Sequence, residues 1–203
     1  MSSMWQRLIE VYSQCSEGVW FGAAVSQEQI LASSFSTSQA TTLKQILSIL
    51  PYDAAFQVFH EPSDFAKEIF ASLKAIYYGK DINTNFRLAL TLLPTYTQKV
   101  LKATQQIPLG YATFYSSISE AVGGGPRAVG NVMASNPFAP IVPCHRVVRS
   151  DLTLGGYGGG LKTKIELLNR EKRGFSSSKE LRVNGGALKV FPVEYVLSNL
   201  TLT

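Results

Sequence analysis

A chain of 203 residues, 45% hydrophobic and 16% charged, has apolar material for a buried core and room for one large domain or two small ones. It has no run of eighteen apolar residues, and Met1-Ser2-Ser3-Met4-Trp5-Gln6-Arg7 lacks the basic and then apolar pattern of a secretory signal. No membrane partner is therefore expected, and the sequence reads as intracellular: cytoplasmic, or nuclear in a eukaryote. The net charge of +5 is uneven, with six Lys/Arg against eight Asp/Glu in residues 1–94, ten against four in 95–175 and three against two in 176–203. A basic segment beside an acidic one suits a phosphate-facing domain next to a scaffold, though solvated surface gives the same imbalance.

In chain order, Val19 to Val25 and Ile30 to Phe35 are β-prone runs joined by Ser26-Gln27-Glu28-Gln29, a hairpin pattern. Ala40 to Leu50 reads as a helix stopped by Pro51, and Ala55 to His60 as a further strand. A helix opened by Ser63 carries Phe65, Ile69, Leu73, Ile76 and Tyr77 at helical spacing and is closed by Gly79. Near Pro94 the pattern changes, and Thr95 with Gln98 three residues on predicts a capping box and a new helix. Phe114 to Val122, Gly123-Gly124-Gly125-Pro126 and Arg127 to Ser135 read as helix, turn and helix, stopping before Asn136-Pro137; this suits a helix-turn-helix or merely a packed helix pair. Ile141-Val142-Pro143 leads to Cys144. Leu154 to Gly160 is a glycine-rich loop, Leu161 to Glu171 a helix, and the tail offers a hairpin around Asn184-Gly185-Gly186.

The expected fold is an α+β N-terminal domain (1–94, a small sheet with helices), then a mostly α-helical C-terminal domain with a helix-turn-helix (95–175), and an extension (176–203). Cys15 and Cys144 are too few for a disulfide scaffold, and a structural zinc would require both to converge with His60 and His145. No metal or cofactor is expected.

Cys144, His145 and Arg146 bring a thiol, an imidazole and a cation within three residues, groups that together lower a thiol's pKa and make a nucleophile. A buried inert cysteine is the plain alternative. In an extended strand His145 would point away from Cys144, so a turn or a bridging water would be needed to join them.

An ordered set of motifs runs from residue 95 to 172: Ile107-Pro108-Leu109-Gly110, Tyr115, Arg127-Ala128-Val129-Gly130, Met133, Asn136-Pro137, Ile141 through Val148 around Pro143-Cys144-His145-Arg146, Gly156-Tyr157, Gly159-Gly160-Leu161, Lys164 and Leu167 through Glu171. This pattern resembles the O6-alkylguanine-DNA alkyltransferases, also called methylated-DNA-protein-cysteine methyltransferases. The resemblance implies direct, irreversible transfer of the alkyl group from O6-alkylguanine in double-stranded DNA, with O4-alkylthymine a second candidate, to Cys144. One turnover would consume the protein.

It further implies that His145 takes the thiol proton through a water and that Glu171 orients the imidazole. Asn136 would tie the second helix to the cysteine segment, and Tyr115 would protonate the departing base. Arg127 would fill the gap left by a flipped nucleotide. Backbone at Cys144 and Val147 would accept the guanine amine, Tyr157 and Gly158 would meet its oxygen, and Met133 and Pro140 would line the alkyl pocket. Lys164 is grouped with the substrate and DNA contacts. Gly158 stands where relatives often have a side chain, which suggests a more open pocket; the turn before Arg127 is shorter than in some relatives. A monomer is expected. The competing readings are an alkyltransferase-like lesion binder, which would lack the thiol, a helix-turn-helix regulator, and a multiple-turnover cysteine hydrolase.

Overall fold

The computed structural model describes residues 8–82, 85–183 and 186–200. The chain packs as two units. The first comprises the chain up to Ile76, Asp81–Leu93 and Pro137–Ile141; the second comprises Tyr77–Lys80, Pro94–Asn136 and the chain from Val142 onward. The tail after residue 175 is thus part of the second unit.

In the first unit, β1 (Ile9–Ser16), β2 (Val19–Ser26) and β3 (Gln29–Ser36) form an antiparallel meander. Gln27 and Glu28 both take positive φ at the β2–β3 turn, the backbone a two-residue hairpin needs. Helix α1 (Gln39–Leu47) is capped by Ser38, whose hydroxyl accepts from the Thr41 amide. It lies on the sheet directly over Gly22, where a Cβ would come within 2.7 Å of both Ile46 and Thr42 side chains. Ile46 and Leu50 close a core with Ile9, Val11, Ala24, Leu31 and Ala32. β4 (Phe56–Phe59) adds in parallel to β1, α2 (Asp64–Tyr77) starts on the Ser63 hydroxyl, and β5 (Arg87–Leu88) completes the order β4-β1-β2-β3-β5. Ser33 holds the returning segment, its amide to Pro137 O at 2.8 Å and its hydroxyl to Ala139 O at 3.0 Å.

The second unit is rich in helix, as expected, and adds a sheet. After α3 (Thr95–Gln105), β6 (Tyr111–Phe114) pairs with β7 (Val147–Val148) on one side and with β9 (Gly186–Pro192) on the other; β8 (Lys179–Val183) makes the sheet β7-β6-β9-β8. Two mixed sheets with helices is therefore the architecture. The capping box is absent: Thr95 is already inside α3, Pro94 occupies the cap position, and no side chain caps the helix. A proline there removes only its own orphan N–H.

Helix α4 (Tyr115–Val122) follows β6 without a loop. Gly123 and Gly124, both at positive φ, turn the chain into α5 (Pro126–Ala134), where Pro126 starts the helix. Helix α6 (Leu161–Arg170) and α7 (Val193–Leu200) pack with Ala112, Val148, Leu154, Leu168, Phe191 and Val196 into this unit's core. The tail hairpin exists as β8 and β9, in register from Lys179↔Val190 to Val183↔Gly186; Asn184 and Gly185 of the expected turn lie outside the described residues.

Gly79, beyond the end of α2, sits at φ +68 with its missing Cβ directed at the carbonyl of Arg170. Arg170 donates to Tyr77 O at 3.1 Å and lies 4.0 Å over the Tyr77 ring, and Arg173 donates to Gly79 O. Gly79→Ala should therefore cost more than about 1 kcal/mol, by left-handed strain plus a backbone clash, read as a lowered denaturant midpoint.

Candidate active site around Cys144

The cysteine segment turns. Cys144–Arg146 is a single 3₁₀ turn, with the Cys144 amide donating to Val142 O at 2.8 Å and the Arg146 amide to Pro143 O at 2.9 Å. This turn takes the place of the extended geometry that would have separated His145 from Cys144. Thiol, imidazole and guanidinium are all buried, with His145 at 0% and Cys144 at 7% exposure.

Glu171 follows the last residue of α6, where its carboxylate, 1% exposed, meets the turn. Its Oε1 lies 2.7 Å from His145 Nε2. Arg146 Nε donates to Oε1 and Oε2 at 3.1 and 2.9 Å, Nη2 donates to Oε1 at 2.9 Å, and Nη1 donates to Ile107 O at 2.6 Å. Burial alone would raise the Glu171 carboxyl, but His145 and Arg146 prevail and hold it down at about 2, so it is an anion at neutral pH. An anion can only accept, so Nε2 carries the imidazole hydrogen and Nδ1 is left as the basic nitrogen. Nδ1 is buried and has no hydrogen-bond partner among the described residues. Burial, more strongly than Glu171 opposes it, lowers the pKa of His145 and keeps the ring neutral, the form in which a base works.

The cation beside the cysteine does not act as its position suggested. The Arg146 guanidinium is turned onto Glu171 and Ile107, and the Cys144 pKa is raised, by burial, above that of an ordinary thiol. A hydrogen bond with the Asn136 side chain, the charge of Lys164 and the amides of Cys144 and His145 pull the other way without overcoming it. The resting pair is a neutral thiol and a neutral imidazole.

Asn136, after α5, donates from Nδ2 to Val142 O at 2.9 Å, joining that helix to the cysteine segment. Tyr115 begins α4 with its hydroxyl at the Gly155 backbone; burial and then Cys144 raise its pKa. Burial, with Cys144 and Glu171 adding, pushes Tyr157 well above the ordinary phenol range. Arg127 is exposed in the first turn of α5. Gly158 is exposed, and a Cβ there would meet nothing within 4 Å.

Three further candidate residues are buried. Lys164, grouped with the substrate and DNA contacts, is fully buried; its ammonium donates to Val147 O at 2.7 Å, to Leu154 O and to Gly156 O at 3.4 Å, and burial lowers its pKa to about 8. It fastens the glycine-rich loop to β7 because α6 turns that face inward. The Val147 carbonyl expected to receive guanine's amine consequently already accepts from Lys164. Pro140 belongs to the segment packed in the first unit. Met133 is buried in the second, its sulfur 3.9 Å from the Thr104 hydroxyl. Among the described residues no three potential metal ligands come together, and no helix is long and apolar enough to cross a membrane.

A family model described as the DNA-binding domain of 6-O-methylguanine DNA methyltransferase matches residues 95–173, the segment that holds this site. The methylated-DNA-protein-cysteine methyltransferase of Mycobacterium leprae is 43% identical over 115 residues, 55% of this chain and 68% of that protein. The chain belongs to this family. The relative from Methanothermobacter thermautotrophicus is 43% identical over 76 residues, 37% of this chain, and the one from Pyrobaculum aerophilum 54% over 65 residues, 32% of this chain; the matches span only 43% and 44% of those two proteins. The family likeness in structure reaches further. The O6-methylguanine-DNA methyltransferase of Pyrococcus kodakaraensis superposes with TM-score 0.64 at 27% identity, over 80% of this chain and 98% of that one. Mycobacterium tuberculosis OGT in complex with DNA gives 0.63 at 26%, over 80% and 92%.

Proposed function

We propose that this protein repairs DNA by taking the alkyl group of O6-alkylguanine onto the sulfur of Cys144, once and irreversibly. The observation that carries the reading is the buried thiol in one turn with an imidazole whose tautomer Glu171 fixes. The thiol gives its proton toward His145 Nδ1, through a water in the family's scheme, and sulfur attacks the alkyl carbon. The S–C bond forms as the C–O6 bond breaks, and the electron pair leaves with guanine. Tyr115 supplies a proton to the departing base, and the imidazolium, stabilised by Glu171, later releases its own to solvent while the tyrosinate takes one back. The resulting thioether has no hydrolytic exit, which limits each chain to one turnover.

The alkyl carbon of a stacked base is out of reach, so the nucleotide must be flipped into the site. In this reading α4 and α5 act as the helix-turn-helix, and Arg127, exposed at the start of α5, fills the vacated stack. Asn136 couples that helix to the thiol, and the open space at Gly158 admits larger adducts. The protein acts as a monomer in the compartment that holds the DNA.

Incubation with excess duplex containing O6-methylguanine should add one methyl group per chain, located on the Cys144 peptide, and return an equal amount of plain guanine. Cys144→Ser should gain nothing. An unmodified chain beside demethylated DNA, or several turnovers per chain, would overturn the reading.

A further inference from the structure

Arg149 is the residue at which the buried cysteine segment reaches the surface. Residues 141–148 are buried, and Arg149 is exposed. It follows β7, whose two residues pair in parallel with β6 as Thr113↔Val147 and Phe114↔Val148. The next residue along each chain is Tyr115 on one side and Arg149 on the other, so the two leave the ladder as neighbours, about 5 Å apart in backbone spacing. Phe114 and Val148 pack into the core of this unit, and strand alternation directs Arg149 away from that core.

The turn that follows holds Arg149 in place. Its amide donates to Thr153 O at 2.9 Å, and its carbonyl accepts from the Leu152 amide at 3.0 Å. Asp151 Oδ1 accepts from the Thr153 amide and hydroxyl at 2.9 and 2.6 Å, and Asn199 of α7 donates to Asp151 O at 3.3 Å. The chain then enters the glycine-rich loop, where a Cβ on Gly155 would lie 3.0 Å from the Tyr115 hydroxyl. The titratable and charged groups that act on this phenol are Cys144, which adds to burial in raising its pKa, and Arg149, which lowers it. Lys164 on α6 feels the same guanidinium. The Asp151 carboxyl is held low first by its bonds to Thr153 and more weakly by Arg149. Among the described residues Arg149 forms no ion pair, so its charge is not spent elsewhere.

We propose that Arg149 is a positioning residue for the transfer, stabilising the phenolate left on Tyr115 as its proton passes to the departing guanine. The inference rests on the repair reading above and deepens it. In this step the Tyr115 O–H bond breaks, the proton goes to the base, and the negative charge stays on the phenol oxygen until solvent returns a proton. A guanidinium is charged throughout the working pH range, so it is present whenever that charge develops. Duplex docked over the site would exclude water from the pair and strengthen its attraction. General acid catalysis is worth about 10²–10⁴-fold, and the neighbouring charge supplies a part of it, about tenfold.

The test is the single-turnover rate of methyl transfer from saturating O6-methylguanine duplex, for the whole chain and for R149Q, R149K, Y115F and Y115F/R149Q. R149Q should be about tenfold slower, and R149K should recover most of that loss. In the Y115F background, R149Q should change the rate by less than about twofold, because a group that acts through the phenol has nothing left to act on. An equal loss in both backgrounds, a loss that vanishes at saturating duplex as a simple phosphate contact would, or an R149K no faster than R149Q would each overturn the assignment. A wild-type chain that takes up no methyl would overturn the repair reading and this assignment together, whereas wild-type uptake beside an unimpaired R149Q overturns the assignment alone.

Discussion

Glu171→Ala should destabilise the second unit by about 3–5 kcal/mol and nearly abolish alkyl uptake at temperatures where the variant remains folded. The carboxylate is the shared acceptor of two buried groups, so its removal leaves the Arg146 guanidinium without its counter-charge and His145 Nε2 without an acceptor. With total stability commonly about 5–15 kcal/mol, such a loss is visible as a large fall in the denaturant midpoint. The loss of transfer is separable from unfolding through Glu171→Gln. That side chain keeps the shape and an oxygen for Nε2–H but turns amide hydrogens toward Arg146 and supplies no charge for an imidazolium. A rate reduced by about 10²–10⁴-fold in a folded Gln variant marks the orienting and electrostatic role. Wild-type rate in that variant would remove Glu171 from the chemistry.

The same carboxylate gives a pH signature. Its folded pKa, about 2, lies below the ordinary 4.5, so its stabilisation is complete above about pH 4.5 and is lost as pH falls toward 2. His145 acts in the same direction at higher pH: with its pKa lowered below 6.5, the unfolded chain takes up a proton first, and stability begins to fall as pH drops through 6.5. Acid titration followed by circular dichroism should show both, and Glu171→Gln should lack the lower step.

Arg146→Met should have the second large effect, of the same order in stability, and it should move the pH dependence of alkyl uptake upward. The arginine is the principal partner of Glu171 and one of the charges that lower the His145 pKa. Without it the imidazole becomes the remaining counter-ion of a buried carboxylate and is drawn to its protonated form, which cannot accept the thiol proton. The rate–pH profile should shift to higher pH, and the ring resonances of His145 should titrate later by NMR. Arg146→Lys should restore little, because an ammonium cannot reproduce the forked contact to both carboxylate oxygens while reaching Ile107 O. An unmoved profile would show that Arg146 is only packing.

The sequence made the pieces of this site readable but not the partnership of Arg146. Cys144, His145, Asn136 and Glu171 stand in motif order, whereas the guanidinium's contacts arise because α6 runs back to set Glu171 against a turn 25 residues earlier. That the thiol is raised, not lowered, also depends on burial that adjacency cannot reveal. Among the elements, the β2–β3 hairpin and helices α1, α2, α4, α5 and α6 follow from periodicity and breakers. β1 escaped because its apolar alternation stops at Tyr12 and gives way to Ser13-Gln14-Cys15-Ser16. β6 escaped because Tyr111–Phe114 is short and runs straight into α4. Both strands are defined by partners distant in sequence, which local pattern does not carry.

The strand order of the second sheet bears on how the protein is made. β6, which leads directly into Tyr115, has β9 as its neighbour, a strand that leaves the ribosome long after it, while the β1–β3 meander can close as soon as it emerges. Non-local pairing of this kind is slow, and an open strand edge invites wrong partners meanwhile. The sheet beside the thiol is thus finished late in synthesis, and a chain released after Arg173 would contain every residue of the reactive site yet leave one side of β6 bare.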